Sequence, residues 1–241
     1  MQFDWIDFYM ELADKLLDFK NDRASLIEKI KDIYTAINIK LPTLEKDNDI
    51  VDIDPFTVYG LFNKGITNAN RILILNQVAE KFGINAKVPT SFDGIPVLNV
   101  MSATFYGFKD DSAKDGGRGA DDIDNLWKLF EIALKLGKDS DGEKYQHDFI
   151  SVYNTVRGQF GVKWNITMGL YWIRPYTFIN LDSRNRWFLT QPDNFPTDYV
   201  VSARNVLSKN EIPSGENYLD MCRRYIECLK TGKYRYSSFP E

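Results

Sequence analysis

The densest run of chemically capable residues lies between positions 158 and 186. It begins Gly158-Gln159-Phe160-Gly161-Val162-Lys163-Trp164-Asn165 and continues through Met168-Gly169-Leu170-Tyr171-Trp172-Ile173-Arg174-Pro175. It ends in Leu181-Asp182-Ser183-Arg184-Asn185-Arg186. Glycines between two helices allow a turn whose backbone amides face outward, which suits a phosphate. Arg184 and Arg186 stand at the start of a predicted helix, where positive charge gains nothing from the macrodipole. An anionic partner or nearby carboxylates would each explain them there. The chemistry such a run suits is contact with a polyanion. Lys163, Arg174, Arg184 and Arg186 are candidates for phosphates, and Trp164, Tyr171, Trp172 and Trp187 for the walls of a base pocket, unless they serve the core. Asp182 is the carboxylate of the run and an equally good helix cap.

Other chemistries find little support. The chain has one histidine, His147, which sits in the polar helix start Tyr145-Gln146-His147-Asp148 and reads as a surface residue. A Ser–His–Asp or Cys–His triad would have to use it, so nucleophilic hydrolysis is not expected. There is no phosphate-binding G-x-x-x-x-G-K-[ST], no H-E-x-x-H and no C-x-x-C. Cys222 and Cys228 lie six apart on one predicted helix, hence on different faces, which disfavours a disulfide or a metal clip. Asp110-Asp111 and Asp121-Asp122 fall in a loop and at a helix start, where solvation and capping account for them. No metal and no cofactor is expected.

The elements that must position the run are helices. From Trp5 to Ile39 apolar residues recur at three- and four-residue steps, giving one long helix or two, with a break at Asn21-Asp22 and an end at Lys40-Leu41-Pro42. Asp54-Pro55-Phe56-Thr57 predicts a capped helix running to about Asn63, and Thr67 opens another that Gly83 ends. Val97–Phe105 is a short apolar segment, and residues 109–119 and 137–142 read as loops. Further helices are expected over Asp121–Leu136, Glu143–Gln159, Val162–Trp172, Ser183–Leu189, Tyr199–Leu207 and from Ser214 to about Leu229. No internal repeat and no sustained two-residue alternation is present. The expected fold is mainly α: a compact multi-helix domain with few or no strands.

At 241 residues, with 44% hydrophobic and 27% charged residues, the chain is long and apolar enough for a buried core, so a globular domain is expected rather than disorder. No stretch approaches a membrane span, and the N-terminus lacks the pattern of a signal peptide, so the cytoplasm is the expected compartment. The net charge of −4 hides an asymmetry. Residues 151–241 hold 12 Lys/Arg against 8 Asp/Glu, whereas residues 1–150 hold 18 against 26. The expected organisation is one domain over residues 1–241 with an acidic lobe, 1–150, and a basic lobe, 151–241, that a polyanion would meet first.

Several separated blocks resemble the N-terminal regions of McrB-like restriction ATPases. They are Asp52–Gly65, Asp93-Gly94-Ile95-Pro96-Val97-Leu98-Asn99, Leu170–Pro175 and Leu181–Arg186, together with Phe3–Lys31 and the tail Ser237–Glu241. They occur in the same order and touch most of the chain. The resemblance implies a modular machine, in which this part reads double-stranded DNA, often at a modified base. A motor domain of the AAA+ GTPase type and a separate nuclease subunit then do the cutting. N-terminal domains of this family have several unrelated folds, so the resemblance leaves the target open. It implies a DNA-binding specificity module that is non-catalytic in isolation.

A second resemblance concerns fold. Asp54-Pro55-Phe56, the helix to Gly83, Gly158-x-x-Gly161-Val162-Lys163 and Leu181-Asp182-Ser183 are similar in order to helix–hairpin–helix DNA glycosylases. That resemblance implies a hairpin that grips phosphates, with Asp182 supporting base excision and Lys163 in the place of the lysine nucleophile of some members. The hairpin departs from the usual L-P-G-x-G, and Asn180-Leu181 replaces the usual small apolar approach to the aspartate. Those departures put excision in doubt. A glycosylase that removes a modified base and a protein-interaction module remain the alternatives.

Overall fold

The computed structural model describes residues 3–45, 50–98, 103–108, 117–138, 144–209, 211–234 and 236–240. Asn99, the loop residues Asp110 and Asp111, the helix start at Glu143 and the tail end Glu241 lie outside the described residues. Every regular element among the described residues is helical, as the periodicity predicts. In chain order these are α1 (Ile6–Leu16), a 3-10 turn (Leu17–Phe19), α2 (Arg23–Ala36), α3 (Pro55–Gly60), α4 (Asn68–Phe82) and α5 (Asp122–Lys138). Then follow α6 (Gln146–Val156), α7 (Asn165–Ile173), α8 (Ser183–Leu189), α9 (Thr197–Leu207) and α10 (Gly215–Lys230).

Local signals set most boundaries. Asp22, Asp54, Thr67, Asp182 and Ser214 each accept a hydrogen bond from a first-turn amide of the helix they open. Gly83 ends α4 in the left-handed region at φ +63°. Three helices are shorter than their expected spans; α6 ends at Val156 rather than Gln159, where a turn takes over. α3 stops at Gly60 rather than near Asn63, at the point where its backbone meets the Ala103 carbonyl so closely that a Cβ would come within 2.2 Å. The turn beyond it is gathered by buried Arg71, whose Nε donates to the Phe62 carbonyl at 2.7 Å. α7 starts at Asn165 rather than Val162, because the preceding residues make a separate turn.

The helices pack around one continuous apolar cluster. α5 lies along α6, α6 against α10, and α2 against α4. α7 packs against α1, α3 and α5, so a helix from the basic part of the chain is surrounded by helices from the acidic part. Gly169 makes this possible, since a Cβ there would come within 2.6 Å of the Phe56 ring on α3. α9 closes against α8 and α10. α7 is thereby anchored in the core, with the 157–164 turn at its start and α8 following its end.

Candidate nucleic-acid interface

The turn of residues 157–164 joins α6 to α7. Gly161 adopts φ +90°, and a Cβ there would come within 2.7 Å of the Gly107 nitrogen. The Gly107 amide donates to the Phe160 carbonyl at 3.2 Å, which docks the turn onto residues 106–107. Glycine at 161 therefore answers both a left-handed conformation and a close backbone approach. The amides of Gly158 and Gln159 donate to the Thr155 and Val156 carbonyls at the end of α6, that of Val162 to the Gln159 carbonyl, and that of Lys163 to Asn165 Oδ1 at 2.7 Å. Those of Phe160 and Gly161 donate to nothing among the described residues. The Phe160 ring itself is 56% exposed.

α8 begins at Asp182. Its Oδ1 accepts from the Asn185 amide at 2.9 Å and its Oδ2 from Asn180 Nδ2 at 2.8 Å. The Asp182 amide in turn donates to Asn180 Oδ1 at 3.1 Å. Both carboxylate oxygens are thus engaged in fixing the start of α8.

Arg186 reaches back from α8 to the turn. Its guanidinium lies 3.9 Å from the centroid of the Trp164 ring, and Nη1 donates to the Leu181 carbonyl at 3.0 Å. Burial pushes the Arg186 pKa down, and the neighbouring Asp182 charge opposes that shift. Thr167 makes a second tie: its hydroxyl donates to the Trp164 carbonyl at 2.8 Å and accepts from the Leu181 amide at 3.1 Å. The turn and the start of α8 are therefore tied into one edge. Neither Arg184 nor Arg186 forms an ion pair among the described residues, so carboxylate pairing does not account for them.

Exposed groups extend this edge on both sides. Lys163 points to solvent in a shallow cleft with Arg157, Trp164 and the acid Glu211. Trp187, 63% exposed, lines a second cleft with Arg186, Gln191 and Arg204. Arg204 is anchored there by Nε and Nη2, which donate to the Thr190 carbonyl at 2.9 and 2.6 Å.

Of the residues singled out in the sequence, Lys163, Trp164, Asp182, Arg184, Arg186 and Trp187 are brought together at this edge. Tyr171 lies behind it, 4% exposed, in the wall of a cavity. Arg174 and Trp172 are placed elsewhere. Arg174 is 3% exposed at the far end of α7, where Nη2 pairs with Asp14 at 2.6 Å and its stem covers Gly137 of α5. Trp172 is wholly buried, stacked on Tyr59 with ring centroids 6.1 Å apart, and donates from Nε1 to the Pro96 carbonyl at 3.1 Å. Arg174 is thus committed to an intramolecular pair and Trp172 to the core. No ion pair joins Lys163 to Asp182 among the described residues. Arg157, Asn180, Asn185 and Arg204 escaped the sequence reading. The N-x-D spacing of Asn180 and Asp182 is a signal of local side-chain bonding that could have found the first asparagine.

His147 is exposed, as its polar surroundings suggest, with its Nδ1 3.6 Å from Asp148. Cys222 and Cys228 are buried free thiols, and burial pushes the Cys222 thiol up to about 12. Among the described residues no cluster of His, Cys, Asp and Glu could hold a metal ion, and no helix is long and apolar enough to cross a membrane.

A family model described as a domain of unknown function, DUF8425, matches residues 5–229. No curated protein and no solved structure matches the chain.

Proposed function

We propose that this chain, which belongs to the DUF8425 family, binds double-stranded DNA along the edge formed by the 157–164 turn and α8. It acts there as a specificity module without catalysis of its own. The observation that carries the reading is the Arg186–Trp164 stack at 3.9 Å, which ties the turn to α8, the helix that carries the exposed, unpaired Arg184. Lys163 in the turn and Arg184 on α8 contact phosphates. The unused amides of Phe160 and Gly161 offer a further anion contact in the same turn. Trp187 presents an aromatic face next to them. The excess of basic over acidic residues in 151–241 orients a polyanion toward this edge, although the whole chain is acidic.

The resemblance of ordered blocks to McrB-like restriction ATPases supports the biological setting. In it, this module selects DNA carrying a particular site or modified base. A motor domain of the same protein and a nuclease subunit act on what it selects. The direct test is binding of the chain to duplexes with unmodified, methylated and hydroxymethylated bases at two salt concentrations. Binding that weakens steeply with salt is the expected result, and no binding to any duplex contradicts the proposal.

A second reading, base excision, rests on Asp182 lying beside this basic edge. Both of its oxygens are already bonded to Asn180 and Asn185, which favours the capping role.

A further inference from the structure

Behind α8 lies a cavity of about 230 Å³, walled by Tyr171, Asn180, Asn185, Phe188, Tyr236 and Ser238 among others. Resting on the DNA-binding reading above, we propose that this cavity holds one nucleobase swung out of the duplex. Its lining fits a ligand that is planar, neutral and polar at its edge. No charged side chain lines it, so a charged ligand would find no counter-ion. Phe188 and Tyr236 meet edge to face, with centroids 6.3 Å apart, and offer ring surfaces to a flat heteroaromatic guest.

Two polar groups await a partner. The Tyr171 hydroxyl has no hydrogen bond among the described residues although the side chain is 4% exposed. Burial pushes its pKa up, so it stays a neutral donor. Asn185 Nδ2 donates to the Asn180 carbonyl at 2.8 Å, which fixes the amide and leaves Oδ1 as an unused acceptor. An aliphatic guest would leave both groups unpaired; the edge of a base presents a complementary donor and acceptor. Position points the same way. The Asn180 side chain holds Asp182 and the Asn185 side chain holds the Asn180 carbonyl, both at the start of α8, the helix whose Arg184 faces solvent. A base entering the cavity would thus keep its phosphates near the basic edge.

The test uses the intact chain, Tyr171→Phe, Ser238→Trp and the Arg184→Ala/Arg186→Ala double variant, with folding checked by melting temperature. Ser238→Trp fills the cavity from the side of the tail, and Tyr171→Phe removes one hydroxyl. Affinities are measured for duplexes identical except for one central cytosine, 5-methylcytosine, 5-hydroxymethylcytosine or N6-methyladenine. A second arm measures saturation transfer from the corresponding free nucleosides. The wild type is expected to distinguish the duplexes by about tenfold, the scale of one or two neutral hydrogen bonds. Tyr171→Phe and Ser238→Trp should abolish that preference, bringing the favoured duplex down to the affinity of the others, while the salt dependence set by the phosphate contacts stays in place. The arginine variant should weaken every duplex alike.

Discrimination that survives Ser238→Trp overturns the proposal. So does equal affinity for every duplex together with no transfer from any nucleoside. If the wild type binds no duplex, the DNA reading fails and the nucleoside arm decides the cavity alone. Transfer lost in Ser238→Trp then supports a base site, and absence of transfer in the wild type overturns it. Should Ser238→Trp fail to fold, Tyr171→Phe decides both arms by the same criteria.

Discussion

Single residues divide here between those that hold the fold and those left for a partner. Asp54 belongs to the first kind. It is fully buried and accepts from the Phe56 and Thr57 amides at 2.8 and 3.0 Å, with the Thr57 hydroxyl at 2.5 Å. Thr57 Oγ1 in turn accepts from the Phe105 amide at 3.0 Å, so its proton is directed to Asp54. Burial raises the Asp54 pKa to about 6 from 3.8, against the pull of these hydrogen bonds. The folded state then binds the proton more tightly than the unfolded chain. Stability from this group is fully present below pH ~4 and is lost as pH rises through about 6. The difference in melting temperature between wild type and Asp54→Asn should change across that window in this direction. A difference that stays flat from pH 4 to 7 would show an unshifted carboxyl.

Arg174 makes a complementary case. It is buried and joins α7 to Asp14 on α1, while Lys138 of α5 reaches the same carboxylate at 3.0 Å. Arg174→Ala should cost about 2 kcal/mol, less than a wholly buried pair because Asp14 is partly solvated. DNA affinity per folded molecule should be unchanged. Normal stability with lost DNA binding would instead make Arg174 a phosphate ligand.

At the scale of elements, the 157–164 turn and α8 carry the account. Gly161→Ala faces both a positive φ and the backbone of residues 106–107, and should destabilise by roughly 2 kcal/mol or more, loosening the turn. Hydrogen exchange of the turn and of the Gly107 amide would show that loosening, and unaltered protection would refute the close packing. Asp182 separates capping from catalysis. Asparagine caps about as well as aspartate, so Asp182→Asn should keep the fold within about 1 kcal/mol. Neither protein should then release a base from modified DNA. Abasic sites made by the wild type and not by the variant would establish excision.

These elements also mark how far sequence could be read. Helix starts were legible at Asp54, Thr67, Asp182 and Ser214, because a cap is a local signal, whereas Asn21-Asp22 read only as a break and Asp22 caps α2. The end of α3 was not, since it depends on a contact between Gly60 and Ala103, distant in sequence. The same limit applies at the candidate site. Lys163, Arg184 and Arg186 stood out by type and position. Burial of Arg174 depends on Asp14, which lies 160 residues away in sequence and is invisible to local pattern.

Across the whole molecule, the uneven charge of the sequence becomes spatial only in part. α7 sits among helices of the acidic part, while its preceding turn and α8 remain at an edge where Lys163, Arg184 and Trp187 are exposed. The cavity behind α8 drew on Asn180, Asn185, Phe188 and Tyr236, which no linear motif gathers, because α8 and the tail meet only in the fold. The central claim is that this edge binds the DNA backbone. The most direct measurement is the salt dependence of duplex affinity for wild type and for the Arg184→Ala/Arg186→Ala variant. Losing two phosphate contacts should lower affinity at least about tenfold and flatten the log–log salt slope by about 2, on every sequence alike. An affinity and slope equal to those of the wild type would contradict the assignment of this edge.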